Sequence, residues 1–350
     1  MALVERGRVG EECSGAGAGM LAAQAEAGEE SPLLDLALAS RGLYRGWATA
    51  LAAASGVDPE YTPSGIVRLA SGRDAAQRLE ARGQWQRRRG LRVETLTRAA
   101  LDTHHSGLAP GITMGLRFAD DHRVRPERLM VAAARAATAA GVAVLERTEV
   151  IGLDVAGGRL RGVRTTDRTL AADLAVLAAG CWSGRLAAGV AGVPDTEPIR
   201  GQMVLLASGR RESVDVLFGD HCYLVPRGAD RVLVGATMEK AGFDANPTAT
   251  GIDVLLSAAG ELRPSLSAAE VLSAWAGLRP GTPDGLPSIG FTSLPGLMLA
   301  TGHLRNGLLL APATALLVAD LACGRTPRFA AGPFAPQRHR IAAQPAPSAA

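Results

Sequence analysis

The sequence predicts an α/β domain interrupted by an α+β domain. Two continuous apolar runs, residues 174–180 and 296–302, read as strands covered on both faces, as in a parallel sheet flanked by helices. Between them, residues 201–278 carry alternating strand candidates, the pattern of an antiparallel sheet. With 350 residues and about 150 per domain, the chain has room for two cores.

Taken in order, residues 2–5 form a very short strand ending in Glu5, and a Gly-rich loop fills 7–19. Ser31 and Pro32 supply an N-cap and a first-turn proline. Leu36, Leu43, Trp47 and Leu51 then come at near-helical spacing up to Gly56, giving a long amphipathic helix. Residues 63–70 are strand-like, and a polar helix covers 73–88. Arg87, Arg88 and Arg89 at its end read as a solvated face, because the helix dipole alone favours cations there. Pro126 opens another helix, stopped at Gly141, and a strand occupies 142–146. A hairpin with an Ala-Gly-Gly turn comes next, then the run at 174–180. Helix, strand, hairpin and buried strand together resemble half of a dinucleotide-binding, Rossmann-like domain.

The antiparallel block contains QMVLLA, HCYLVP, RVLVGAT and VLSAWAGL, with one helix at 250–262. A helix starting near Asn306 succeeds the strand at 296–302. Boundaries therefore fall so that 1–60, 123–199 and 285–330 make the α/β domain and 61–122 with 200–284 make the other. The Pro- and Ala-rich residues 331–350 are expected to be a disordered tail.

Composition excludes several functions. Apolar residues are 47% and charged residues 20%, and a net charge of +3 is too small for a dedicated nucleic-acid binder. Cys13, Cys181, Cys222 and Cys323 are far apart, with no metal-binding spacing, so no structural metal is expected. The longest apolar run is too short to cross a bilayer and no secretion signal is visible, so the expectation is a cytoplasmic protein without a membrane partner.

A dinucleotide-binding domain opens on strand, Gly-x-Gly-x-x-Gly turn and helix. Residues 15–20 read Gly-Ala-Gly-Ala-Gly-Met, with methionine at the last glycine position. Seven segments stand out along the chain, in the order ALVERG, AGMLAAQAE, VLAAGCWSG, HCYLVPR, LVGATME, WAGLRPGTPDGLPSIG and GHLRNGLLLAPAT. On these segments, from Ala2 to about Arg328, the sequence resembles the glycine oxidase family within the D-amino-acid oxidase superfamily of FAD-dependent amine oxidases. Relative to that family the first strand, glycine turn and first helix are missing, and Met1 is expected to be an internal or misassigned start.

The resemblance implies FAD extended across an N-terminally truncated FAD/NAD(P)-binding Rossmann-like domain, its flavin facing a pocket floored by the antiparallel sheet. Glu5 and Arg6 would hold the adenosine ribose, and Val150 would pair its backbone with adenine. Glu12, Cys13, Ala18, Gly19 and Met20 would line the pyrophosphate and flavin. His303, Leu304, Arg305, Asn306, Gly307, Leu308 and Leu309 would wrap the pyrimidine edge, where helix N-terminal amides stabilise negative charge. Arg279 matches the carboxylate anchor, which suits a guanidinium because it binds a planar carboxylate through two parallel bonds. Arg305 matches a second substrate-side arginine, Tyr223 a hydroxyl donor, and His221, Met20 and Met238 further pocket residues. Asp284 reads as a turn cap and the cysteines as non-nucleophilic.

The activity so implied is oxidative deamination of glycine, or of small amines such as sarcosine and D-amino acids. Hydride passes to the flavin with no obligatory acid or base side chain. Oxygen then yields hydrogen peroxide, and the imine gives glyoxylate or enters thiazole synthesis for thiamine. A small amino-acid substrate, O2, thiazole-synthesis proteins and a second copy of the chain in a homo-oligomer are the implied partners. Two alternatives stay open: a sarcosine oxidase or D-amino-acid dehydrogenase of the same superfamily, and a non-catalytic chain unable to hold FAD.

Overall fold

Ser31 caps the first long helix as its sequence predicts. Its Oγ accepts from the Leu34 amide at 3.2 Å, and Gly56 ends the helix Pro32–Ser55 in the left-handed conformation at φ 69°. The computed structural model describes residues 1–210 and 212–343. In it this helix buries Leu36, Ala37 and Tyr44 against the helices Pro126–Ala139 and Gly307–Ala322.

Pro312 lies inside the last of these helices, where it has no N–H to give and leaves the carbonyl four residues back without its partner. The Tyr44 hydroxyl donates to that carbonyl, Leu308 O, at 2.6 Å. Ser40 adds a bond to Leu309 O at 2.7 Å. Both come from the neighbouring helix, so the start of Gly307–Ala322 is fixed from outside.

Small sheets accompany these helices. Strand Ala2–Val4 pairs in parallel with Ala143–Leu145. Strand Ala175–Leu177 pairs in parallel with Leu297–Thr301, which also pairs with Ser288–Phe291. The hairpin Val150–Ala156 to Arg159–Thr165 turns on Gly157 and Gly158 at φ 60° and 70°, the two positive values its twist requires.

The structure corrects the expectation for residues 174–180. Only Ala175–Leu177 is strand, and it lies at a sheet edge with Leu174 37% and Val176 42% exposed, so its apolar run does not report burial on both faces. Leu297, Met298 and Leu299 of its inner neighbour are fully buried.

The rest of the fold is one eight-stranded sheet built from two stretches of chain. Its strand order runs Val271–Gly281, Glu197–Ala207, Arg231–Gly235, Tyr223–Pro226, Val216–Phe218, Ile66–Ser71, Ile112–Phe118, Glu94–Thr97. Alternation splits its side chains between two cores. One face packs Val204, Leu224 and Val234 against Leu255, Ala258 and Leu262 of the helix Ala249–Leu262. The other carries Ile66, Met203, Phe218, Tyr223 and Leu233 towards Ala18, Ala22 and Ala25.

The disorder expected from residue 331 is not what the described residues show. Residues 331–343 contain two 3-10 segments, Gly332–Phe334 and Pro336–Ala343, and Phe334 is 1% exposed in the core of the helical layer. Composition suggested a tail, but one aromatic anchor suffices to dock it. Residues 344–350 lie outside the described residues.

Candidate active site

A cavity of about 730 Å³ lies between the large sheet and the α/β part. Its floor is a single cross-strand row. Trp275 pairs with Met203, Met203 with Gly235, Gly235 with Tyr223, Tyr223 with Phe218 and Phe218 with Arg68. Of this row, Met203, Gly235, Tyr223, Phe218 and Arg68 line the cavity, and Trp275 packs against the core beside them.

Arg279 reaches over that floor from the strand Val271–Gly281. Its guanidinium lies across Gly201, where a Cβ would come within 2.2 Å of Nη2, so only glycine leaves it room. Nη1 donates to the carbonyl of Thr237 at 3.0 Å, which fixes the plane of the fork. Tyr223 is buried beside it, and burial raises its hydroxyl above the ordinary phenol range, keeping it a neutral donor.

Facing the sheet, residues 13–20 form the second wall. Cys13–Ala16 is one helical turn, where the sequence suggested only loop, and Met20–Leu21 is a short strand. Three bonds pin the wall from the sheet side and from below. Trp275 Nε1 donates to Ala16 O at 3.0 Å, Arg227 Nη2 to Ala18 O at 2.6 Å, and the Val124 amide to Gly19 O at 2.9 Å. Burial pushes the Cys13 thiol up to about 11, so it stays protonated and is not a nucleophile.

The third wall is the loop 302–306 and the start of Gly307–Ala322. The Leu304 amide donates to Pro280 O at 3.1 Å, tying this loop to the residue after Arg279. Leu304 holds φ 46°, a strained value that the tether maintains. No side chain caps the helix at Asn306, so its first-turn N–H groups remain free for a ligand. His303 Nε2 lies 3.0 Å from Thr314 Oγ1, and burial lowers its imidazole to about 4, which keeps it neutral.

Cys13, Ala18, Gly19, Met20, His221, Tyr223, Met238, Arg279, His303, Leu304, Arg305, Asn306, Gly307 and Leu308 thus all line one cavity. His221 and Met238 sit at its exposed rim, Met238 being 54% exposed. Arg305 is paired with Glu26 Oε1 at 2.9 Å. Leu309 is buried behind the wall, in the core with Leu36 and Tyr44. Glu5, Arg6, Glu12 and Val150 are outside the cavity. Glu5 Oε1 accepts from the Gly7 amide at 2.8 Å, Arg6 pairs with Glu12 and stacks 4.2 Å above Trp182, and Val150 pairs with Thr165 in the hairpin.

Sequence reasoning missed Glu26, Arg68, Phe218 and Asp220, which also line the cavity. Arg68 had a visible signal. In IVRLAS it shares the period-two face of Ile66 and Ala70, both buried, and an arginine there needs a reason.

An elongated cavity between an α/β half and an antiparallel floor, with free helix amides on one side and a guanidinium on the other, defines a flavin-dependent oxidoreductase. More particularly, the chain belongs to the DAO family of FAD dependent oxidoreductases, whose family model matches residues 1–321. It is 36% identical over 344 residues to a glycine oxidase of Geobacillus kaustophilus (strain HTA426), covering 97% of this chain and 90% of the relative. It is also 36% identical over 321 residues to a bifunctional protein ThiO/ThiG of Nostoc sp. (strain PCC 7120 / SAG 25.82 / UTEX 2576), covering 87% of this chain and 46% of that longer relative. The crystal structure of glycine oxidase from Geobacillus kaustophilus superposes with a TM-score of 0.92 at 35% identity, covering 97% of this chain and 92% of that one. The protein is an FAD-dependent amine oxidoreductase.

The residues present fit the flavin end of FAD: a tethered loop, free amides at a helix N-terminus and an apolar wall of small residues. Among the 350 residues no Gly-x-Gly-x-x-Gly turn occurs to hold the pyrophosphate. No helix among the described residues is long and apolar enough to cross a membrane, and no metal-binding cluster occurs among them.

Proposed function

We propose that the protein oxidatively deaminates glycine and small amines such as sarcosine or D-amino acids. The observation that carries this reading is Arg279, laid over Gly201 with its plane set by Thr237 O and its tip above an apolar floor. A guanidinium so placed takes a carboxylate through two parallel bonds, and the Tyr223 hydroxyl donates a third. Met203, Phe218 and Tyr223 exclude water beneath the bound amine, which strengthens these bonds. The substrate binds with its amine neutral, and this chain's residues orient its α-carbon rather than exchange a proton with it. Free amides at the start of Gly307–Ala322 and the neutral His303 favour negative charge at the pyrimidine edge of a flavin.

FAD, when bound, supplies a two-electron acceptor that O2 reoxidises to give hydrogen peroxide. The imine product hydrolyses to glyoxylate and ammonia or passes to thiazole synthesis, a destination supported by the ThiO/ThiG relatives. In this reading residues 1–60, 123–199 and 285–330 carry the cofactor, with Glu5, Arg6, Glu12 and Val150 at its adenosine end. Residues 61–122 and 200–284 carry the substrate.

The test is anaerobic addition of glycine, sarcosine or D-alanine to the protein purified with FAD. Bleaching of the visible flavin band supports the reading, and a band unchanged by all three overturns it.

A further inference from the structure

Tyr223 and Met203 stand on the two strands that flank Gly235, each paired with it in register, so their side chains project from one face two strand spacings, about 10 Å, apart. They meet across it nonetheless. The Tyr223 hydroxyl donates to Met203 Sδ at 3.5 Å. A Cβ on Gly235 would come within 2.6 Å of the Tyr223 oxygen and would strike Met203 Sδ as well, so only glycine leaves the two room to touch. Both side chains are buried, and among the described residues the sulfur is the only acceptor that the hydroxyl has. Arg279 stands beside the same oxygen, its charge opposing the effect of burial on the phenol. A guanidinium has donors only, so the oxygen's lone pairs serve Arg279 and its proton serves the sulfur. The hydroxyl therefore has to leave Met203 before it can donate to a carboxylate held by Arg279.

We propose that Met203 is a positioning residue for the amine oxidation: its thioether holds the Tyr223 hydroxyl before substrate arrives and yields it to the substrate carboxylate. The proposal rests on the carboxylate reading of Arg279 and goes beyond it by giving Met203 control over affinity. Acceptor strength is what decides. A thioether is a weak acceptor and a carboxylate a strong one, so the exchange is favourable and needs only a turn about the C–O bond of the phenol. A side chain without an acceptor would leave the buried hydroxyl unpaired. A strong acceptor such as an amide oxygen would make the substrate break one full hydrogen bond to gain another. Methionine lies between these extremes, and its length and flexibility carry its sulfur across Gly235.

The experiment measures the Kd of acetate, a carboxylate with no amine to oxidise, from its perturbation of the flavin spectrum in the FAD-loaded protein. Wild type, Met203→Gln and Met203→Leu are compared, each with Tyr223 intact and with Tyr223→Phe. With Tyr223 intact, Kd is expected to rise about three- to tenfold in Met203→Gln, the range of a neutral hydrogen bond, and to fall about two- to threefold in Met203→Leu, where no bond has to be given up. Both differences should vanish in the Tyr223→Phe background, where no hydroxyl remains to be held. In anaerobic bleaching by glycine, the loss in Met203→Gln should appear in the half-saturating concentration more than in the limiting rate. Equal Kd in all three proteins, a rise in Met203→Leu, or differences that persist with Tyr223→Phe overturn the proposal and leave the carboxylate reading standing. Where Met203→Gln does not fold, Met203→Leu decides alone. A wild type that binds no acetate overturns the carboxylate reading, and the proposal with it.

Discussion

The two sides of the cavity are built on different principles. The sheet side works through side chains, with Arg279, Tyr223, Met203, Phe218 and Arg68 projecting from strands whose register fixes their spacing. The side made by residues 13–20 and 302–308 works through backbone, with small residues, tethered carbonyls and free helix amides. Recognition of a small charged amine needs a few placed charges, whereas a large planar cofactor needs a close-fitting wall. The contrast also predicts which mutations separate substrate binding from cofactor binding.

Arg279→Met tests the sheet side most severely. Glycine affinity should fall roughly a hundredfold or more, while FAD content stays at the wild-type level in the spectrum of the purified protein. Loss of FAD in that variant would erase the division between the two sides. Gly201→Ala is next in size, because a methyl group there collides with the Arg279 fork. Titration with glycine should show a loss of about tenfold, with thermal unfolding little changed.

Arg305→Met sharpens the comparison between two arginines of one cavity. Because Glu26 already neutralises Arg305, the KM for glycine should change by less than about threefold. A loss as large as that of Arg279→Met would make it a second anchor.

The smallest expected effect lies on the backbone side. His303 has its folded-state value lowered from 6.5 to about 4 by burial, so the unfolded chain binds the proton more readily between those values. Its contribution to stability is therefore complete above about pH 6.5 and is lost as the pH falls towards 4. In His303→Gln the melting temperature should vary less with pH over that window. An unchanged slope would place the imidazole in contact with water.

Much of this was legible in the sequence, for local reasons. Ser31, Pro32 and Gly56 mark a helix because capping involves only neighbouring residues. Gly157 and Gly158 mark a hairpin because its turn needs two positive φ angles. The cavity residues around Arg279 and 303–308 were found through motifs that are contiguous in the chain. Misreadings have the opposite origin. Residues 174–180 looked doubly covered because an apolar run does not say which strands pair beside it. Residues 331–343 looked disordered because composition does not show that Phe334 has a slot in the helical core.

The sequence by itself determined the long capped helix, the hairpin and the segments that bear the anchor and the helix amides, since side-chain periods and caps are local. Only the tertiary structure decided that Arg68, Phe218, Tyr223, Met203 and Trp275 stand in one row. Strand order and register come from pairing between residues far apart in the chain, and a slip of one residue would turn each of those side chains to the other face. For the same reason Tyr44 meets the carbonyl that Pro312 leaves free only after two distant helices have packed.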